Sequence, residues 1–339
     1  MRTRGGLFGA ILGLALPGSA IAADQTWTVQ TANSAGDVAF AITQDFADSI
    51  EVLTGGRLAI RLIPVGAVVQ YSETLDAVAA GILDGHITAT VYFSGKDPGF
   101  ALLGDLIAAY EHPDQMLAFM HLGGGDELLR DLYARHGIHY IGGATTGKEA
   151  FVSKIPILTV DDFAGLKLRA PEGMAQDIFE RIGAAPVNLP AAEVYTALER
   201  GVVDAADWST YSMNHALGFH EIARYPIYPG IHSMPIIDFS VHPARWQALP
   251  DDIKAILEMA ARELARDMTR RLEIKDLDDV RTAADDGITV IDWPDAERQK
   301  LRDVAILVWR DWSARSAAAE QAYHAQTAFL RAIGLLSDE

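Results

Sequence analysis

Apolar positions along this chain switch repeatedly between strand-like runs and helical spacing. Residues 27–31 read as a strand. Residues 35–53 then carry Val38, Ile42, Phe46, Ile50 and Leu53 at three- and four-residue steps, the spacing of one helix face. Gly55-Gly56 stops that helix, and a strand follows at 58–63. The pattern continues with a helix at 72–80 (Ser72 as N-cap), a strand at 87–92, a helix at 126–136 and a strand at 138–141. Such alternation predicts an α/β fold built on mainly parallel sheet. From Pro250 onward the chain is strongly helical. Residues 299–312 place Leu301, Val304, Ala305, Val308, Trp309 and Trp312 on one stripe, which packs either on its own lobe or on a second copy of the chain.

One segment echoes another. LDAVAAGILD at 75–84 matches YTALERGVVD at 195–204, pairing Ala77 with Ala197, Gly81 with Gly201 and Asp84 with Asp204. Each is a helix stopped by glycine before a turn into a strand. Two readings stand: chance likeness of two αβ units, or two lobes of similar construction facing a ligand cleft. On the second reading, residues 23–145 and 236–294 form a discontinuous first lobe. Residues 146–235 form the second, and 295–339 a C-terminal helical segment on the body or on a dimer partner. The glycine-rich stretch 142–147 and the prolines at 226, 229 and 235 mark the crossings.

The beginning of the chain reads differently. Arg2 and Arg4 precede an apolar run at 7–16, and Ala20-Ile21-Ala22 supplies small residues for cleavage. This is the pattern of a secretory signal over 1–22, removed on export. A membrane anchor needs ~20 apolar residues, and Pro17-Gly18 interrupts this run. Arg2-Thr3-Arg4 is not a twin-arginine pair, which favours the Sec route.

The formal net charge is −18, and two units more negative without Arg2 and Arg4. A chain of that charge repels nucleic acid and anionic lipid, so any anion must bind at a locally basic point. With no cysteine, neither a disulfide nor a thiol takes part.

Several chemistries are imitated. GGATTGKE at 142–149 nearly spells a phosphate loop, but Glu149 stands where a hydroxyl should hold magnesium. His136 and His139, and His215 and His220, lack the cysteines or helix motif of a zinc site and read as core or surface residues. No G-x-S-x-G elbow occurs. The 46 acidic residues offer no singled-out acid–base pair.

What does stand out is Arg169. It ends the run GLKLR at 165–169, beside Pro171, and is followed through a helix, a strand and another helix by Asp207-Trp208. Guanidinium is a planar, permanently charged fork suited to a carboxylate. The residues also admit plainer roles. Arg169 could pair with Glu172 or Asp177, Asp207 could cap a helix or face solvent, and Trp208 and Tyr92 could be core. Lys148 could be a solvated loop charge, and His232 stays open between pocket and hinge packing.

Tyr92-Phe93-Ser94-Gly95-Lys96-Asp97-Pro98, GLKLR, Ala206-Asp207-Trp208 and Tyr228-Pro229-Gly230-Ile231-His232 together resemble the periplasmic solute receptors of TRAP transporters. They are most similar to the subgroup that binds 2-oxo acids and lactate. The resemblance covers about residues 27–330. It implies a two-lobed periplasmic binding protein fold with a cleft between lobes and long bracing helices. It also implies a receptor, not an enzyme, that hands a small organic acid to a membrane permease and that could form a homodimer. Arg169 would pair with the ligand carboxylate, with Tyr92, Asp207, Trp208 and His232 around it. Asp207, Trp208 and Asp238 would hold a sodium or calcium ion bridging to the ligand.

The chain departs from that pattern at four places. Thr146 is the match for an amide side chain at the lobe crossing. Asp replaces the commoner Glu at 207 and 238. Lys148 could add a second positive charge, which would favour a dicarboxylate or aromatic acid without metal. The rival class is an exported hydrolase.

Overall fold

A computed structural model of the chain describes residues 24–189 and 193–337; the expected signal segment 1–22 lies outside the described residues. The strands, in chain order, are β1 (Gln25–Thr31), β2 (Leu58–Ile63), β3 (Gly85–Ala89), β4 (His139–Thr145), β5 (Ala150–Ser153), β6 (Lys167–Arg169), β7 (Ala185–Val187), β8 (Ala205–Ser209) and β9 (Ile236–Val241). They form two sheets. One has the order β2-β1-β3-β9-β4 and the other β5-β8-β6-β7.

Each sheet is parallel except for one strand. β9 runs antiparallel to both β3 and β4, and β5 runs antiparallel to β8. The exceptions have a common cause. β4 leads straight into β5, and β9 returns from the second sheet, so neither strand is reached through the helical crossover that a parallel neighbour requires. The expected mainly parallel sheet is therefore realised with an antiparallel member at each crossing.

The strand expected at 87–92 is shorter than its apolar run. Pairing with β9 ends at Ala89↔Ile237, and Thr90–Phe93 tightens into a 3-10 turn. Tyr92 thus leaves the sheet on a turn. The first helix spans Val38–Leu53 and buries Ala39, Ile42, Phe46 and Ile50 against the sheet, as its spacing requires.

Long helices brace both sheets. Asp251–Thr282 packs along β4 and the first helix, then meets the short helix Tyr211–Ala216 beyond the second sheet. There Asp276 accepts the backbone N–H of Ser212 at 2.7 Å, satisfying a donor that a helix start leaves free. The helix Asp295–Ser313 packs on Met174–Arg181, which connects β6 to β7, and on Ala317–Ala332.

The stripe on Asp295–Ser313 is covered by the chain's own body. Leu301, Ala305, Val308 and Trp309 are buried. Burial of each large member is worth ~1.5–3 kcal/mol, against ~0–1 kcal/mol for an exposed ion pair such as Arg181–Asp311. Apolar packing therefore dominates this contact. Two indoles fix its register: Trp309 Nε1 donates to the Ile107 carbonyl at 3.1 Å and Trp312 Nε1 to Asp177 at 2.7 Å.

No helix among the described residues is long and apolar enough to cross a membrane.

Candidate functional site

The two chain crossings and the carboxyl ends of β6 and β8 bring one polar cluster together. β6 alternates, with Lys167 exposed, Leu168 buried and Arg169 partly buried at its end. Parallel pairing sets Arg169 level with Ala206 of β8. From there the guanidinium reaches one residue further. Its Nη1 donates to the Asp207 carbonyl oxygen at 2.7 Å, and its centre lies 4.8 Å from the Trp208 ring centroid. The stacking adds a cation–π attraction and fixes the plane of the fork. Arg169 Nε is buried without a protein partner.

Glu172 and Asp177 do not take this arginine. Asp177 is engaged by Trp312 and by Arg315, at 3.0 Å.

Asp207 turns its side chain the other way. Its Oδ1 lies 2.8 Å from His232 Nε2, and both residues are buried. Glu149 completes the group. One ligand atom from each of Glu149, Asp207 and His232 lies within 4.8 Å of the others. These three residues come from three different segments, and the backbone holds each in place. Glu149 donates its N–H to the Ser233 carbonyl at 3.0 Å. Ala108 donates to the His232 carbonyl at 2.6 Å, and Asp105 accepts from the Met234 N–H at 3.0 Å and from the Ser233 hydroxyl. Arg298 clasps the carbonyls of Pro229 and Gly230 at 2.9 and 2.7 Å.

Gly230 shows how close these segments run. A Cβ there would lie 1.8 Å from the Glu149 carbonyl oxygen, so only glycine fits.

The electrostatics separate the acids. Burial raises the Glu149 carboxyl well above its ordinary value, and the Asp207 and Asp105 charges push it further. Burial would also raise Asp207, but the His232 charge and hydrogen bond, then Arg169, outweigh it and hold Asp207 below the usual range. Asp105 is pushed up to about 6 by burial, against hydrogen bonds from Met234 and Ser233. The two neighbouring acids are thus shifted in opposite directions, one by burial and the other by its cationic partners.

The other residues singled out in the sequence fall at different distances from this group. Tyr92 is 37% exposed, its ring lies 4.5 Å from that of Tyr71, and its phenol is within reach of the Glu149, Arg169 and Asp207 charges. It stands on the turn that follows β3. Thr146 is buried at the crossing with its hydroxyl unpartnered by protein.

Lys148 turns elsewhere. Burial lowers its pKa to about 8, and the next influence is Arg298, with Glu111, Arg302 and Asp292 also acting on it. Arg298 and Arg302 belong to the helix Asp295–Ser313, so the charges that act most on Lys148 include those of that helix.

Asp238 is not part of the group. It is fully buried in β9 and accepts from Thr90 at 2.9 Å, Tyr133 at 2.6 Å and Ser240 at 2.6 Å, with His86 Nε2 at 3.1 Å. Four neighbours saturate its two oxygens, so it serves as an internal hub of the first lobe.

Sequence reasoning passed over Glu149 as a partner and saw it only as the residue that spoils a phosphate loop. The available signal was a carboxylate in the short crossing between lobes, next to a glycine-rich run.

Two sheets joined by chain crossings form the two-lobed fold of periplasmic binding proteins. Residues 29–315 match the bacterial extracellular solute-binding proteins of family 7, and the chain belongs to this DctP family of TRAP periplasmic solute-binding proteins. It is 27% identical over 289 residues to a monocarboxylate 2-oxoacid-binding periplasmic protein of Nostoc sp., covering 85% of this chain and 79% of that one. A TRAP periplasmic solute binding protein from Rhodobacter sphaeroides, in an apo open structure, is 41% identical and superposes with a TM-score of 0.79 over 93% of this chain and 100% of that chain. Another from Pseudoalteromonas atlantica, with bound sodium and pyruvate, is 25% identical with a TM-score of 0.80 over 91% of this chain and 94% of that chain.

Proposed function

We propose that this chain is the extracytoplasmic receptor for a small 2-oxo or 2-hydroxy monocarboxylate, which it passes to TRAP permease subunits in the membrane. The observation that carries the reading is Arg169. Its guanidinium is oriented from two sides, by the Asp207 carbonyl and the Trp208 ring, and keeps Nε free of protein partners at the end of a parallel strand. A fork held in this way offers its remaining N–H groups to a carboxylate without having to be ordered first. The 2-oxoacid-binding protein of Nostoc sp. and the pyruvate complex from Pseudoalteromonas atlantica support the ligand class.

A cation at the same place is consistent with the residues present. Glu149, Asp207 and His232 converge, are buried, and would hold an ion through two carboxylates and an imidazole. Such an ion would supply positive charge beside the bound acid, adding to that of Arg169. The protein's own part is to fix the acid by Arg169, to wall the ligand with Trp208 and Tyr92, and to exclude water as the lobes close. Exclusion of water lowers the local dielectric and strengthens the arginine–carboxylate bond.

A thermal-shift screen tests this function. Pyruvate, other 2-oxo acids, 2-hydroxy acids, dicarboxylates and aromatic acids would be compared with and without chelator. Stabilisation by small 2-oxo or 2-hydroxy monocarboxylates, with the ligand recovered intact, is the expected result. Turnover of the ligand, or stabilisation only by dicarboxylates or aromatic acids, contradicts it.

A further inference from the structure

We infer that a cavity at the edge of the five-stranded sheet, between Arg130 and Arg262, is a second binding site, which takes a small tetrahedral oxyanion of the phosphate or sulfate type. It is separate from the candidate acid site: neither Arg169 nor any member of the Glu149–Asp207–His232 cluster lines it.

The cavity forms where two helices pass the same edge strand. β4 ends its sheet, and successive strand residues face opposite sides. Tyr140 packs in the core that holds Leu129 and Leu132 of the helix Gly125–Arg135, whereas Ile141 packs in the one that holds Ala261 and Leu264 of the helix Asp251–Thr282. The two helices therefore cover opposite faces. Arg130 comes from the first and Arg262 from the second, and both line the space beside Gly142 and Gly143. Neither glycine can be enlarged: a Cβ on Gly142 would meet that of Ala261 at 2.9 Å, and one on Gly143 would meet the Tyr140 hydroxyl at 2.9 Å. An edge strand carries unpaired backbone groups, and with no side chain in the way a ligand can come close to them.

Charge and size name the ligand class. Among the described residues neither Arg130 nor Arg262 donates to a protein acceptor or forms an ion pair. The acid nearest to hand is already engaged: Asp126 accepts from the Tyr140 hydroxyl at 2.7 Å on one oxygen and lies 2.9 Å from His121 Nδ1 on the other. Glu258 stands one turn before Arg262 and is exposed; it is the one lining acid left to oppose an anion. On a chain with a formal net charge of −18, two unpaired guanidiniums facing one space reverse the local sign. Their planar forks match the oxygens of phosphate. The cavity measures about 60 Å³. At ~10–15 Å³ for each water-sized group it holds ~4–6 of them, which fits one tetrahedral oxyanion and is too small for a nucleotide. Arginines beside an edge strand also deter pairing with other chains, a role that needs no ion, and the experiment separates the two.

The test titrates the mature protein with sodium phosphate and sodium sulfate by calorimetry, at ionic strength held constant with chloride and without organic acid. Saturable binding is the readout, because these salts also stabilise proteins without binding at a site. Saturable binding of phosphate or sulfate, with none of chloride, is expected. Arg130→Gln and Arg262→Gln should each weaken it about 10-fold or more, the loss of one charge-assisted contact. Glu258→Gln should tighten it, and Arg169→Ala should leave it unchanged. Both cavity arginines are exposed, so their replacement spares the core, and urea unfolding checks this. No saturable binding, or binding that survives in the double variant Arg130→Gln/Arg262→Gln, overturns the inference. Loss of phosphate binding in Arg169→Ala overturns it as well, because the ion would then occupy the acid site.

Discussion

Arg169 and Trp208 stand on neighbouring strands of one sheet, and the guanidinium of the first lies 4.8 Å from the ring centroid of the second. The pairing follows from register. Arg169 is level with Ala206, so its side chain passes the Asp207 carbonyl and settles on the next indole along the strand. A long, flexible side chain is thereby reduced to nearly one orientation before any ligand arrives. That lowers the entropic cost of binding, which for a rotamer-rich side chain is ~0.5–1.5 kcal/mol.

Asp238 gives a prediction that separates structure from binding. Asp238→Ala removes an acceptor from Thr90, Tyr133 and Ser240 and leaves these buried hydroxyls and His86 without it. The loss expected in urea unfolding is ~3–5 kcal/mol. Calorimetry on the folded fraction should show unchanged ligand affinity. A stable variant that fails to bind would put Asp238 back in the site.

Gly230 is predicted to tolerate no side chain. In Gly230→Ala the new Cβ meets backbone, the Glu149 carbonyl oxygen, which cannot rotate away. The strain expected is at least ~1–3 kcal/mol, and it acts on the segment that carries Glu149. Both melting temperature and ligand affinity should fall. An affinity equal to wild type would show that the Glu149 position does not matter to binding.

His220 predicts how stability depends on pH. Burial, then the neighbouring His215, lowers its pKa from 6.5 to about 3. Its ring lies 4.4 Å from that of Tyr211. Between those two values the unfolded chain binds a proton that the folded chain does not. Stability from this residue is therefore complete above pH 6.5 and is lost as pH falls toward about 3, at up to ~1.4 kcal/mol per pH unit. Asp276 acts with the opposite sign: burial raises it from 3.8 to about 6, so in that window the folded chain holds the extra proton and stability falls as pH rises. Denaturant melts from pH 4 to 7 should show a shallower acid slope for His220→Leu than for wild type and a steeper one for Asp276→Asn. Identical slopes would mean that neither residue is held as the fold implies.

How much of this was legible beforehand differs by element. Local periodicity carries the helices and the strand–helix alternation, because each depends on neighbours three or four residues away. The Arg169 and Asp207-Trp208 segments stand out for the same reason, as charged and aromatic residues at the ends of apolar runs. What periodicity lacks is direction. The antiparallel placement of β5 and β9 depends on how the chain passes between lobes. Glu149 and Asp238 show the consequence. Both are acids beside apolar segments, and nothing local distinguishes them. One is carried to the cluster by the crossing, and the other is enclosed by Thr90, Tyr133 and Ser240, residues distant in sequence except for the last. Lys148, one residue from Glu149, is influenced instead by Arg298 and Arg302 of the helix Asp295–Ser313.

The most direct measurement is calorimetric titration of wild type, Arg169→Lys and Arg169→Ala with pyruvate and other small 2-oxo acids, with urea unfolding as a control for the fold. Lysine keeps the charge but loses the fork and the stacking on Trp208. Binding should be weakened in Arg169→Lys. A loss of ~2–5 kcal/mol is expected for Arg169→Ala, roughly 30-fold to several thousand-fold in affinity, with little change in stability. Affinity unchanged in Arg169→Ala would remove this arginine from the ligand and contradict the account.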